Sequence, residues 1–536
     1  MPPLHAKRKG KICGFVGQSV SFDFKKRIIT LRMKPEIKNK KSKINFDRIL
    51  PILLSALAAL FSMLTSLLIA KPLGNELYGV IQYYLGIMTT VSIIVGFGIS
   101  FVLIKSSQFQ DNPKAFFTKY LILFDIISAI GLPIFYLIAY FFLANINQNI
   151  LLIFMLYGGA YCTAYDGLLG GYLLGTKKAT ISTAITSFVP KLALFVSSLL
   201  ILKLLGNDKL VQYYVPLYFV VYFLSCVPYS LFLIRKTPFK FQKGDLLSVA
   251  TFFALVATQS LNTSLSKVIQ GQYDAYQTES GHSYTGILGL SFQIMSLATL
   301  FASTVVTLAQ PIFAEINASG NKAQLINQYR TVLRVNSYIS IPFCIALMVE
   351  VKPVLGIFGQ TYSGFENIVF FLLISASTLL STVCGPCGTL LTFSGHEKIQ
   401  IINGLVYIGV FVIVGIPLKT LTIYGIPIAY FIATVLVEAA KMVELGVFYK
   451  TLPVDLKSVL TLLAIGALSF AIFFGLSFIN NFYLWAILNL IIGASFILMC
   501  FLLTPFKQDK YFFSKRTNKK DISASIDIGS NSDGHE

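Results

Sequence analysis

Charged side chains inside long apolar runs are the residues of this 536-residue chain whose chemistry needs explaining. A charge at the centre of a bilayer costs about 2.5–3.5 kcal/mol on insertion scales, so it persists where it is paired, wet or used. Asp166 and Lys191, on consecutive apolar runs, are the first candidates. The ammonium offers a cation to an anionic substrate, and the carboxylate offers a partner or a proton site. The same two residues also read as a buried structural ion pair between neighbouring helices. Glu438 and Lys441 stand three apart, so they can pair on one helix face and neutralise one another. Asp125 lies in the first third of its run, close enough to one surface to reach headgroups. Lys267 closes the polar stretch QSLNTSLSK (259–267), whose Gln259 and Asn262 either line a wet cavity or bond neighbouring helices. Arg330 and Arg334 share a helix face at the start of a run. Their guanidinium forks match phosphate oxygens, although a plain excess of basic residues on one side explains them as well.

Other chemistries find little support. Cys384-Gly-Pro-Cys387 has the spacing of a thioredoxin-type motif but lies in an apolar run without the βαβ context that redox chemistry uses. Four histidines are scattered and form neither a metal cluster nor a triad. No phosphate-cradling Gly-rich loop is present, which argues against ATP hydrolysis by this chain. No cofactor and no metal is expected. Seven cysteines, mostly inside apolar runs, give no disulfide framework.

The elements that must position these residues follow from composition. Charged residues make up 12% of the chain and apolar ones 55%, whereas soluble domains carry about 25% charged residues. Crossing about 30 Å of hydrocarbon takes roughly 20 apolar residues. Fourteen windows meet that length: 49–70, 80–104, 120–143, 150–174, 180–202, 211–234, 247–268, 284–309, 332–351, 367–391, 401–418, 421–446, 458–479 and 482–504. Backbone groups cannot stay unpaired in lipid, so these windows are expected to be helices, giving an all-α polytopic membrane protein.

The formal charge of +20 suggests nucleic acid until its placement is read. With the N-terminus inside, about 35 of the 43 Lys and Arg fall in inner segments, as the positive-inside rule requires. Both termini are therefore expected on the cytoplasmic side of a plasma membrane, with lipids rather than nucleic acid as surroundings. Residues 1–48 read as a basic arm drawn to anionic headgroups, with Met33 as a second candidate start. They hold no apolar core of signal-peptide length. The tail, 505–536, is polar and is expected to be disordered.

Two stretches echo one another. GGYLLGTKKATIS (170–182) resembles CGTLLTFSGHEKIQI (387–401), and YGVIQYYLGI (78–87) resembles TGILGLSFQI (285–294), at similar offsets of just over 200 residues. Two parallel six-helix units, 49–234 and 247–446, would account for this, with 458–504 supplying two further helices.

The joint between the first two windows, LGNELYG (73–79), resembles the LG-x-x-x-YG joint of the polysaccharide/oligosaccharide flippases. Those proteins belong to the multidrug/oligosaccharidyl-lipid/polysaccharide exporter superfamily. PIFAE (311–315), followed by Gly-Asn and a basic amphipathic stretch, and GPCGTLLTFSGHEK (385–398) are similar to the same family. The resemblance covers roughly residues 45–505. It implies two six-helix bundles around a central cavity, and alternating access that moves a polyprenyl-diphosphate-linked sugar between leaflets. Polysaccharide-synthesis enzymes are candidate partners. A multidrug/cation antiporter of the same superfamily is the alternative. A membrane-embedded polymerase or glycosyltransferase is the third reading, with Asp274 and Glu279 in or beside the joint 269–283 as its only candidate acids.

Overall fold

The computed structural model describes residues 46–107, 112–143, 149–176, 178–235, 243–277, 282–479, 481–506 and 509. The basic arm, Glu279 and the tail beyond Asp509 lie outside the described residues. Among those described, regular structure is helical throughout, as the hydrogen-bonding demand of lipid predicts.

The helices run in chain order as α1 (Phe46–Gly96), α2 (Ile99–Ser106), α3 (Pro113–Phe142), α4 (Ile150–Gly175), α5 (Ala179–Leu205), α6 (Asn207–Leu231), α7 (Lys243–Gln277) and α8 (Ser283–Ser319). They continue as α9 (Lys322–Val349), α10 (Val351–Phe358), α11 (Phe365–Cys384), α12 (Cys387–Phe393), α13 (Glu397–Leu421), α14 (Gly425–Tyr449), α15 (Leu456–Leu476) and α16 (Phe482–Leu503). Eleven stretches among the described residues are long and apolar enough to cross a membrane. The first, Leu53–Gly96, is 44 residues long and holds two of the expected windows. α7 and α8, at 35 and 37 residues, cover two more.

α1 folds back on itself at the joint the family resemblance singled out. Gly74 takes φ 73° and ψ −179°, a conformation that costs a residue with a Cβ but suits glycine. The Tyr362 hydroxyl, from the short turn after α10, donates to the Gly74 carbonyl at 2.9 Å. Its ring meets Tyr78 edge-on, with centroids 6.4 Å apart. The break therefore keeps one freed carbonyl paired inside the protein. The Gly320-Asn321 joint works in the same economical way: Gly320 adopts φ 76°, and the Asn321 side chain accepts from the Gln324 amide at 3.0 Å. These two glycines mark opposite ends of the helical stack, called below the Gly74 end and the Gly320 end.

Packing links the early and late parts of the chain through α1. α1 contacts α4, α5 and α6, but it also contacts α7 and α8 from the second half. α9 packs on α8, α11, α15 and α16, while α13 packs on α14 and α7. The second arm of α1, with α7 and α8, thus forms the seam between the halves. Glycines bring these helices into backbone contact. A Cβ on Gly79 would lie 1.9 Å from the His282 carbonyl oxygen, and one on Gly286 would lie 2.2 Å from the Asn75 carbonyl oxygen. A Cβ on Gly289 would lie 2.4 Å from Gln82 Cγ, so the two stretches 78–87 and 285–294, which echo one another in sequence, are packed directly together.

Candidate functional site

Lys267 sits on α7 where that helix meets the second arm of α1. Its ammonium donates to Gln82 Oε1 at 2.8 Å, and among the described residues no carboxylate lies within salt-bridge distance. Lys191, on α5 in the first half, is a second cation of this region and acts electrostatically on Lys267. It lies 6.0 Å from the centroid of the Tyr222 ring. Lys267 therefore contacts an amide on α1 and Lys191 an aromatic ring on α6.

The structural ion pair that Asp166 and Lys191 offered as an alternative reading is absent from the salt bridges of the described residues. Asp166 is buried on α4 and accepts from the Cys226 thiol at 2.8 Å. Lys191 reaches it only through space, beyond salt-bridge distance. The sequence could not show this, because the competing partner Cys226 comes from α6, 60 residues away. The tyrosines on α6 were also missed. Tyr218 and Tyr222 stack with centroids 4.4 Å apart beside Lys191. Their four-residue spacing on one helix face was the signal that could have found them.

A half-open cavity of about 430 Å³ is lined mainly by the second half, with Phe101 of α2 added from the first. Asn262, Glu438 and Lys441 lie in its wall, and the last two form the expected ion pair at 2.8 Å. Asn262 Oδ1 is buried without a hydrogen-bond partner among the described residues. The side chain of Gln259, two helical turns before Lys267 in the sequence, lies outside the described residues.

The remaining candidates stand elsewhere and carry structural contacts. Arg334 is buried at the Gly320 end, where Nε and Nη2 each donate to Asp509 at 2.8 Å. It also reaches Ser458 at 3.1 Å and stacks 3.8 Å from the Phe506 ring. Arg330 donates to the carbonyls of Leu452 at 2.6 Å and Pro453 at 3.3 Å. Both guanidiniums thus fasten the α14–α15 joint and the segment after α16. The expected phosphate forks point into these contacts because their acceptors come from residues more than 100 positions away in the sequence. Asp125, on α3, is exposed and accepts from the Tyr161 hydroxyl at 2.8 Å.

Asp274, the described candidate for the enzymatic reading, is enclosed by its own hairpin. It accepts from Gln270 at 2.7 Å and from both the amide and the hydroxyl of Thr285 at 2.8 Å. These bonds tie α7 to the start of α8. Cys384 and Cys387 flank Gly385, whose φ of 68° and ψ of −150° break the helix. Tyr329 bonds the Cys384 carbonyl and the Cys387 sulfur, each at 2.9 Å, so the motif serves a helix break. No group of three or more metal-ligating side chains occurs among the described residues.

No protein-family model matches the chain, and no curated protein matches it. Solved structures do. The chain is similar to the inward closed conformation of the lipid II flippase MurJ, at 14% identity and a TM-score of 0.61, over 84% of this chain and 98% of that one. It is also similar to the MATE multidrug transporter DinF-BH, at 16% identity and a TM-score of 0.55, over 76% of this chain and 98% of the other. A third match is the outward-facing conformation of a multidrug resistance MATE family transporter of the MOP superfamily. There the identity is 13% and the TM-score 0.52, over 76% of this chain and 96% of that one. At such identities the likeness is one of fold: the chain has the architecture shared by the lipid II flippase and the MATE transporters.

Proposed function

We propose that this protein is a flippase that carries a polyprenyl-diphosphate-linked glycan across the membrane by alternating access. The observation that carries this reading is the Lys267 ammonium at the seam, bonded to Gln82 with no carboxylate within salt-bridge distance among the described residues, with Lys191 a second cation outside any salt bridge among them. A diphosphate carries the complementary charge. In low dielectric that attraction is far stronger than in water. The lipid tail stays in the bilayer while the polar head crosses between the halves. With the basic arm on the cytoplasmic side, the Gly320 end faces the cytoplasm and the glycine-packed Gly74 end closes the outer side. Asp166, close to Lys191 but bonded to Cys226, is the candidate for coupling the movement to an ion or proton.

The excess of cations also weighs against the runner-up, an antiporter of cationic drugs, which would need an acidic cavity. The enzymatic reading is weaker still, because Asp274 is enclosed on every oxygen by its own hairpin.

The test is leaflet accessibility of the lipid-linked glycan in cells depleted of this protein and lacking a second flippase. Glycan held on the inner leaflet, released by wild type and by Lys267→Arg but not by Lys267→Met, is the expected result. Normal translocation in the depleted cells would overturn the flippase reading.

A further inference from the structure

We infer that the half-open cavity lined mainly by the second half is a binding site for the sugar portion of the cargo, distinct from Lys267 and its Gln82 contact at the seam. The inference rests on the flippase reading for the identity of the cargo and on the cavity wall for the chemistry.

The wall is rich in hydrogen-bond acceptors. Eight serine and threonine side chains line it, and six of them already donate their proton to a carbonyl of their own helix. Thr258 to the Ala254 carbonyl at 2.8 Å and Thr434 to the Tyr430 carbonyl at 2.8 Å are examples. A hydroxyl whose proton is committed in this way presents lone pairs to the space in front of it. Two amide oxygens add to them. Gln400 is 4% exposed, and its Oε1 has no hydrogen-bond partner among the described residues, nor has Asn262 Oδ1. Buried acceptors left unpaired are destabilising, so a donor is expected to fill them.

Two glycines make room for this arrangement. A Cβ on Gly404 would lie 2.1 Å from Thr258 Cβ, and one on Gly388 would lie 2.8 Å from Gln400 Nε2. Without them, Thr258 and Gln400 could not stand at the wall.

What the wall would take is a neutral ligand with many donors. A sugar ring offers a hydroxyl on nearly every carbon, and its C–H faces suit aromatic side chains such as Tyr407 and Tyr430, which also line the cavity. The Glu438–Lys441 pair is already neutralised, so the wall has no net charge to hold an ion. A bare hard cation binds oxygens at about 2.3–2.6 Å, which a space of about 430 Å³ far exceeds. That volume lies in the range of small-molecule pockets, about 300–1,000 Å³. Asn262 precedes Lys267 on α7 by about one and a half turns, or roughly 7.5 Å of rise. Five residues also turn the helix by about 140°, so Lys267 and Asn262 meet the cargo on different faces of α7.

The test uses the full-length protein in nanodiscs and three probes: bare undecaprenyl diphosphate, the same lipid carrying a trisaccharide of hexose and N-acetylhexosamine, and the lipid-free trisaccharide. Wild type is expected to bind the glycosylated lipid at least tenfold more tightly than the bare one. Thr434→Val, nearly isosteric, and Gln400→Leu should each reduce that preference by about threefold to tenfold, as loss of one hydrogen bond predicts. They should leave binding of the bare lipid and the thermal unfolding temperature unchanged. Lys267→Met should weaken both lipids equally.

Equal affinity of wild type for both lipids would overturn the glycan site while leaving the flippase reading intact. If neither lipid binds but the free trisaccharide does, and Gln400→Leu abolishes it, the site stands and the flippase reading falls. A response to sodium ion alone, or to none of the probes, would overturn the site.

Discussion

At the scale of single residues, the chain separates charges that hold the fold from charges left available. Arg334 and Asp509 belong to the first kind: the guanidinium grips both carboxylate oxygens, and Tyr338 donates to one of them at 2.7 Å. Removing one partner leaves the other charge buried and uncompensated. Arg334→Met is therefore expected to lower stability by about 3–5 kcal/mol, and the double variant with Asp509→Leu to recover most of that loss. Thermal unfolding of the four proteins in detergent checks both statements; an additive double variant would contradict them. Asp455 is a gentler case at the start of α15, just before the membrane-length stretch. Burial pushes its carboxyl up, but the Ser458 hydroxyl and amide, with Arg334 nearby, outweigh it and hold the group below its ordinary value. A carboxylate with a depressed folded pKa stabilises the protein above its unfolded value of about 3.9 and loses that contribution as pH falls through the folded value. Asp455→Asn should therefore flatten the loss of unfolding temperature between about pH 5 and pH 3 relative to wild type. Lys191 and Lys267 are of the second kind, and charge reversal or removal there should act on transport and not on stability.

At the scale of elements, the glycine contacts of the seam explain more than the apolar pattern does. Gly79 and Gly286 occupy equivalent places in the two echoing stretches, and Asn75 and His282 stand three residues before those stretches begin, all at an offset of 207. Gly79 packs on His282, and Gly286 packs on Asn75. Each contact is the counterpart of the other, as in an isologous interface between two copies of one patch. A bulky side chain at either glycine must force the same seam apart, at about 1–3 kcal/mol or more for overpacking. Gly79→Leu and Gly286→Leu should thus give matching defects, read as increased labelling of a cysteine introduced at Asn75; opposite effects would contradict the equivalence. Much of this level was legible in the sequence. Membrane-length apolar windows located the helices because hydrocarbon leaves the backbone no other solution. The LGNELYG joint was legible because a positive φ and a close approach each demand glycine. What could not be read was which polar side chains meet across helices. The Cys226–Asp166 bond and the Arg334–Asp509 clamp join residues 60 and 175 positions apart, and no local spacing encodes such pairs.

For the whole molecule, the question is what moves. Alternating access requires a bistable element whose two arrangements expose opposite sides. The seam at the Gly74 end has the features of the closed arrangement. Backbones touch at Gly79 and Gly286, Lys267 bonds Gln82 across the halves, and Gln293 on α8 donates to Ser62 on α1 at 3.0 Å. The contacts between halves combine close glycine packing and stacked rings such as Phe97 on Phe253 with single polar bonds, the latter worth about 0.6 kcal/mol each in a membrane interior. Such a seam can part without a large penalty. By contrast, the α9–α15–α16 cluster is fastened by the buried Arg334–Asp509 pair and should move as one body. Locking the seam must therefore stop transport while leaving cargo binding from the Gly320 end intact. Cysteines at Ser62 and Gln293, whose side chains bond across the seam at 3.0 Å, provide the lock. Oxidation of this pair is expected to abolish translocation of the lipid-linked glycan, reduction to restore it, and binding of undecaprenyl diphosphate to change less than about twofold. Continued translocation with the bridge formed would show that the Gly74 seam is not the gate.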